Sequence, residues 1–120
     1  LILVQPVIES LEKRLKEQRA RAGGKMITVE VDSPEDALRV AKTGVDVVQL
    51  DKFSPADIRK IRKAILKSGS GIKLAAAGNI TIKNVSDYAR SGADILVTSW
   101  PYYGEPADMT ISIQPIFDLY

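Results

Sequence analysis

Apolar residues along this chain fall in short, nearly unbroken runs separated by longer stretches in which they recur every three or four positions. The runs Ile27 to Asp32, Val47 to Asp51, Ile72 to Ala77 and Ile95 to Thr98 are rich in β-branched and small side chains and predict strands covered on both faces. Helical patterns of about a dozen residues lie between them, so the chain reads as four parallel strand-helix units rather than as hairpins. Two helices open alike, with Ser33-Pro34-Glu35-Asp36 and Ser54-Pro55-Ala56-Asp57. Ser caps the helix, Pro fits its first position, and the acids complement its dipole. Ile58, Ile61 and Ile65 form one stripe expected to be buried; Ile82, Val85 and Ala89 form another, on a helix opening near Thr81. Thr43-Gly44-Val45-Asp46 and Ser91-Gly92-Ala93-Asp94 rhyme, each placing Gly where a helix stops before the next strand.

Upstream, Val7, Leu11 and Leu15 mark an amphipathic helix ending near Arg21, followed by the linker Ala22-Gly23-Gly24. Downstream, Tyr102 to Pro106 reads as loop and Thr110 to Ile113 as a further strand leaving the repeat. The expected organisation is a helix and linker over 1–24, four strand-helix units over 25–104, and an exit strand and tail over 105–120. Two α/β architectures suit it: an open doubly wound sheet, natural at 120 residues, or part of a barrel that takes about 250 residues when complete. Both place ligands beyond the carboxyl ends of the strands.

Composition narrows the chemistry. The 45% hydrophobic and 27% charged residues are those of a globular domain. Cysteine is absent, which excludes disulfides and thiolate metal sites and is compatible with a reducing cytoplasm, the expected location. Histidine is absent too, leaving acid-base work to carboxylates, lysine or tyrosine and making any metal site hard and oxygen-based. A net charge of +2 is too small to indicate nucleic acid, and Arg59, Lys60, Arg62, Lys63 and Lys67 alternate with the apolar stripe as on a solvated helix face. No apolar run approaches the roughly 20 residues of a membrane-spanning helix. The chain begins without an initiator Met or a charged leader, so a signal peptide is not expected and a longer natural chain is.

The strand ends carry the candidate chemistry. Glu30 sits within Val29-Glu30-Val31, where an ionised side chain needs either a partner on a neighbouring strand or a solvated site. The second strand ends in Asp51-Lys52; since Ser54 already caps the next helix, Asp51 is available to a ligand. Ala77-Gly78-Asn79 ends the third strand with small residues whose backbone N–H groups can approach an anion at a helix N-terminus, although such a turn also simply reverses a chain. Thr98-Ser99-Trp100 ends the fourth with hydroxyls and amides, and two adjacent turns of this kind resemble the paired-loop phosphate site of barrels. Trp100, Tyr102 and Tyr103 suit either stacking on a base or ring or a place in an interface or core.

Val29-Glu30-Val31-Asp32, Val48-Gln49-Leu50-Asp51-Lys52, Ala77-Gly78-Asn79-Ile80 and Gly92-Ala93-Asp94, in this order and spacing, resemble the C-terminal half of the quinolinate phosphoribosyltransferases. Leu50 to Lys52, Ala76 to Gly78 and Thr98 to Asp108 resemble still more closely the pyrophosphorylase-like proteins encoded with molybdate transporters. The resemblance implies the last strands of a seven-stranded open α/β barrel, TIM-like, behind an N-terminal sandwich domain, in a homodimer or higher oligomer. It implies transfer of ribose 5-phosphate from phosphoribosyl pyrophosphate to a pyridine carboxylate, quinolinate, with decarboxylation to nicotinate mononucleotide. Glu30 and Asp51 match the family's acidic pair, which faces the ribose hydroxyls and Mg2+, while Ala77 to Asn79 and Thr98 to Trp100 match its two phosphate-contacting loops. Lys52 stands where the family usually has Asn, and Ala77-Gly78-Asn79 where it usually has Ser-Gly-Gly, so one hydroxyl contact to phosphate is lost. The residues that hold the acceptor's carboxylates lie upstream in the family and have no counterpart here, so the chain alone is expected to be inactive. Competing readings are a molybdate-associated relative with an unidentified acceptor, a non-catalytic module binding a phosphorylated ligand, and a fragment completed only by oligomerisation.

Overall fold

The computed structural model describes residues 2–4 and 8–115. Five parallel strands stand side by side in chain order: β1 (Ile2–Val4), β2 (Thr28–Val31), β3 (Val47–Asp51), β4 (Lys73–Ala77) and β5 (Ile95–Val97). Helices α1 (Ile8–Ala22), α2 (Pro34–Val40), α3 (Pro55–Lys67) and α4 (Val85–Ala89) fill the crossovers, and a 3-10 turn at Trp100–Tyr103 follows β5. The four runs read as strands form β2 to β5. β1 is an addition to them, since three residues are too few to display a period.

Side chains alternate between the two faces of a strand. Val29, Val31, Val48, Leu50, Leu74 and Ala76 share one face and merge into a single buried cluster with residues from all four helices, including Leu11, Val40, Ile58 and Tyr88. A sheet in sequential order with its helices gathered on one face is singly wound, as in a barrel, and not doubly wound. The expectation of strands covered on both faces holds for β3 and β4, buried on both apart from Asp51 and Lys73, and is corrected for β2, half-buried on one face, and β5, part-exposed along its length. The second face carries Glu30, Gln49, Asp51, Ala75 and Ala77, and its small residues Ala75 and Ala77 are nearly solvent-free.

Both expected serine caps form, with Ser33 Oγ accepting from Asp36 N–H at 3.2 Å and Ser54 Oγ accepting from Asp57 N–H at 3.1 Å. The α3 stripe Ile58, Ile61 and Ile65 is buried as expected, as are Leu11 and Leu15 of α1; Val7 lies outside the described residues. The helix expected from Thr81 begins only at Val85, because Asn84 braces a turn ahead of it. Asn84 Oδ1 accepts from Thr81 N–H, and Asn84 Nδ2 donates to the Asn79 carbonyl, both at 2.8 Å. The stripe Ile82, Val85 and Ala89 is exposed, Ile82 at 71%, and Tyr88 turns inward instead, donating its hydroxyl hydrogen to the Phe53 carbonyl at 2.9 Å. Thr110 to Ile113 forms no strand: residues 105–115 lack regular structure and Ile111 and Ile113 are exposed, since no described edge pairs with them. Positions 116–120 lie outside the described residues.

The rhyming Gly-x-Asp turns act as latches at the amino end of the sheet. Asp46, just before β3, accepts the Ile27 N–H at 2.7 Å and pairs with Arg19 of α1, which also donates to the Gly44 carbonyl at 2.8 Å. Asp94, just before β5, accepts the Leu74 N–H at 2.8 Å and pairs with Arg62 of α3, which also donates to the Gly92 carbonyl at 2.8 Å. Gly92, at φ +93°, is needed here, because a Cβ would come within 3.2 Å of Arg62 Cγ. Arg62 is thus drawn in from the helix face that the sequence suggested was solvated.

Hydrogen bonds from Arg19 and the Ile27 amide hold the Asp46 carboxyl below the usual carboxylate range. Burial opposes ionisation at Asp94, but the Leu74 amide and Arg62 outweigh it, and this carboxyl is lowered too. Depressed folded-state values mean that the stabilisation is complete above the unfolded-state value near 4 and is lost as pH falls through the folded-state values. The urea midpoint should therefore stay flat from about pH 7 to pH 5 and fall below about pH 4. Asp94→Asn should cost about 1 kcal/mol at neutral pH, allowing for its solvent exposure, and should flatten the acid decline. A variant with the wild-type midpoint at both pH values would contradict the latch.

Candidate functional site

The register of the ladders brings the candidate residues to one end of the face opposite the helices. Glu30 pairs with Gln49, Gln49 with Ala75, Asp51 with Ala77, and Ala77 with Val97. Gln49 and Asp51 are two residues apart and share a face, which puts Asp51 diagonally beyond Glu30 on the adjacent strand. Gln49 is 8% exposed and donates from Nε2 to Glu30 Oε2 at 2.9 Å. Of the alternatives that the sequence left for Glu30, a partner on the neighbouring strand is present, and it is an amide and not a salt bridge. Among the described residues no cationic side chain lies within ion-pair distance of Glu30 or Asp51. No cluster of three or more potential metal ligands occurs among them either.

The ends of β3 and β4 interlock. Lys52 adopts a left-handed backbone at φ +60° and Asn79 one at φ +58°; for Lys this costs about 1 kcal/mol, while Asn tolerates it better. Lys52 N–H donates to the Ala77 carbonyl at 2.8 Å, and the lysine stem lies against Gly78. A Cβ on Gly78 would meet Lys52 Cγ at 2.6 Å and Asp51 Oδ1 at 3.0 Å, so only glycine, here at φ +85°, lets the two strand ends close together. Strain of this kind collects at functional sites.

Beside this interlock lies a cavity of about 360 Å3 lined by Ala77, Gly78, Asn79, Thr98, Ser99, Trp100 and, from the 3-10 turn, Tyr103. The structure therefore brings together the two loops expected to hold phosphate. Glu30, Asp51 and Lys52 do not line the cavity; Asp51 and Lys52 border it through Gly78. Two expectations change. Thr98 has committed its hydroxyl, donating to the Ile80 carbonyl at 2.6 Å and accepting from Trp100 N–H at 3.1 Å, so it ties the loops together and Ser99 is the hydroxyl available to a ligand. A helix dipole does not serve the third strand end, since a turn separates it from the five-residue α4; an anion there would be met by loop N–H groups. Tyr102 is exposed and outside the cavity. Gln49 and Asn84 belong to this assembly and were not singled out by the sequence reading. The signal for Gln49 was present, as the one amide in an otherwise apolar strand interior.

The family described as quinolinate phosphoribosyl transferase, C-terminal domain, matches residues 5–112. The chain is 36% identical over 101 residues to the protein named putative pyrophosphorylase ModD of Escherichia coli O157:H7, a match covering 84% of this chain and 36% of that one. It is 32% identical over 93 residues to the probable nicotinate-nucleotide pyrophosphorylase (carboxylating) of Methanothermobacter thermautotrophicus, covering 75% and 33%. The crystal structure of NadC from Streptococcus pyogenes superposes with a TM-score of 0.64 at 27% identity, over 80% of this chain and 34% of that one. The chain thus spans about a third of the length of these relatives.

Lys52→Gly should relieve the left-handed strain and raise stability by up to about 1 kcal/mol while weakening anion binding at the cavity, a trade that thermal melts with and without inorganic phosphate would display. Loss of stability in that variant would contradict the strain.

Proposed function

The chain belongs to the quinolinate phosphoribosyl transferase family as its C-terminal domain, and from that premise we propose that it supplies the sugar-phosphate half of a phosphoribosyltransferase active site. The supporting observation is the placement, at one end of the sheet, of two carboxylates without cationic partners among the described residues, beside a cavity walled by two loops. The donor is phosphoribosyl pyrophosphate. Its 5-phosphate sits in the cavity, held by loop N–H groups around Gly78, Asn79 and Ser99 and by the Ser99 hydroxyl. Its ribose lies over the face opposite the helices, toward Glu30 and Asp51.

The bond from ribose C1 to pyrophosphate breaks with its electron pair leaving on oxygen, and positive charge develops at C1 and the ring oxygen. Glu30 and Asp51 stabilise that charge in place, without the reorganisation that water would need. The ring nitrogen of quinolinate bonds to C1, the carboxylate on the adjacent ring carbon departs as carbon dioxide, and the electron pair left on that carbon takes up a proton from solvent to give nicotinate mononucleotide. The donor set suits Mg2+, since one or two carboxylates with substrate phosphates and water are its usual ligands; Glu30 and Asp51 would hold the ion, and when bound it would supply positive charge to offset that of the pyrophosphate. Upstream sequence closes the barrel and provides the cationic groups for the acceptor's carboxylates, and a second copy completes the site. A cytoplasmic setting accords with this chemistry, and no helix among the described residues is long and apolar enough to cross a membrane.

A second reading keeps the donor and changes the acceptor. It is supported by Lys52, which adds a cation at the mouth of the site where the family usually has Asn, and by the 36% identity to putative pyrophosphorylase ModD.

Pyrophosphate release by the full-length protein, given phosphoribosyl pyrophosphate, Mg2+ and quinolinate, tests both. Release that requires quinolinate and falls at least about 100-fold in Glu30→Ala/Asp51→Ala supports the first reading. Binding of the donor without quinolinate-dependent release supports the second, and failure to bind the donor contradicts both.

A further inference from the structure

Gln49 has no place in the chemistry described so far, and its presence needs a reason. It is a nearly buried amide at the centre of Val47-Val48-Gln49-Leu50, between Glu30 and Ala75 across the ladders. An apolar side chain of the same size would give a more stable strand, because burying an amide costs free energy that a single hydrogen bond only offsets. The sheet's own needs therefore do not explain it. Its contact does: Nε2 donates to Glu30 Oε2 at 2.9 Å. The terminal torsion of a glutamate is broad and two-fold, so an unheld carboxylate samples many planes. One hydrogen bond from the interior of a β-strand fixes that plane and occupies one oxygen, leaving Oε1 as the oxygen free to face a ligand. Ala75, next across the sheet, is too small to reach the pair, so Gln49 has this contact to itself on its side of Glu30.

We propose that Gln49 is a positioning residue that orients the Glu30 carboxylate toward the ribose of the bound sugar phosphate. This rests on the reading of Glu30 given above. A group that acts through orientation raises turnover more than it tightens binding, because its effect is realised as charge develops. It also acts only through its target, so its removal does nothing further once the target carboxylate is gone.

The test is a kinetic cycle in the full-length protein with Gln49→Met, Glu30→Ala and the double variant, measuring kcat and KM for phosphoribosyl pyrophosphate together with thermal midpoints. Met preserves volume and burial, so the fold is retained and the midpoint is expected to stay level or rise. Gln49→Met should lower kcat about tenfold with KM changed less than about twofold, and the double variant should match Glu30→Ala alone. An unchanged kcat in Gln49→Met alongside a crippled Glu30→Ala overturns the proposal and leaves the functional reading standing. Multiplicative losses in the double variant overturn it as well, by showing that Gln49 acts independently of Glu30. Full activity in Glu30→Ala overturns the reading and the proposal together.

Discussion

Parallel register is the constraint from which the rest of this molecule follows. Four ladders hold β1 to β5 side by side so that Glu30, Asp51, Ala77 and Val97 reach the carboxyl end of the sheet within a residue or two of one another. At the opposite end Asp46 and Asp94 each accept an amide from the start of a strand and pair with an arginine from a preceding helix. The latches and the candidate site sit at opposite ends of the same strands, so the residues that set the stagger are not the ones proposed to meet the ligand. Conserving the sheet while altering the site is therefore physically simple in this architecture, because chemistry is confined to loops that a rigid scaffold presents.

Much of this was legible in the sequence. Runs of β-branched residues located four strands, and Ser-Pro pairs located the starts of α2 and α3, because a serine cap and a proline at the first helical position satisfy local requirements that do not depend on the rest of the fold. The third strand-helix unit was misread for a reason that is equally local. Ile82, Val85 and Ala89 have helical spacing, but Asn84 captures both the Thr81 amide and the Asn79 carbonyl and delays the helix, and a side chain competing for backbone groups leaves no trace in hydrophobic periodicity. Thr110 to Ile113 has strand composition without an edge to pair with, and pairing is a property of the partner as much as of the segment. The winding of the sheet could not be read from apolar runs, since strands buried on both faces, as β3 and β4 are, give the same run whether helices cover one face or two.

At the candidate site, the sequence pointed to strand-end loops and acids that the fold brings to one end of the sheet, but not to the hydrogen bonds each makes there. Thr98, which sits in a phosphate-like turn, is a tie between two loops, while Ser99 beside it is free to meet a ligand. Lys52 looked like a binding residue and is also a strained one, wedged against a glycine that no other residue could replace. Gln49 looked like an interruption in a strand and is the one side chain hydrogen-bonded to Glu30 among the described contacts.

The account stands or falls on where the sugar phosphate binds. A crystal structure of the full-length protein soaked with ribose 5-phosphate and Mg2+ is the most direct measurement. The account predicts phosphate density within hydrogen-bonding distance of both the Gly78-Asn79 and Ser99 backbones, with the ribose hydroxyls turned toward Glu30 and Asp51. Sugar phosphate bound at the amino end of the strands, or in the cavity with its ribose turned away from both carboxylates, would contradict it.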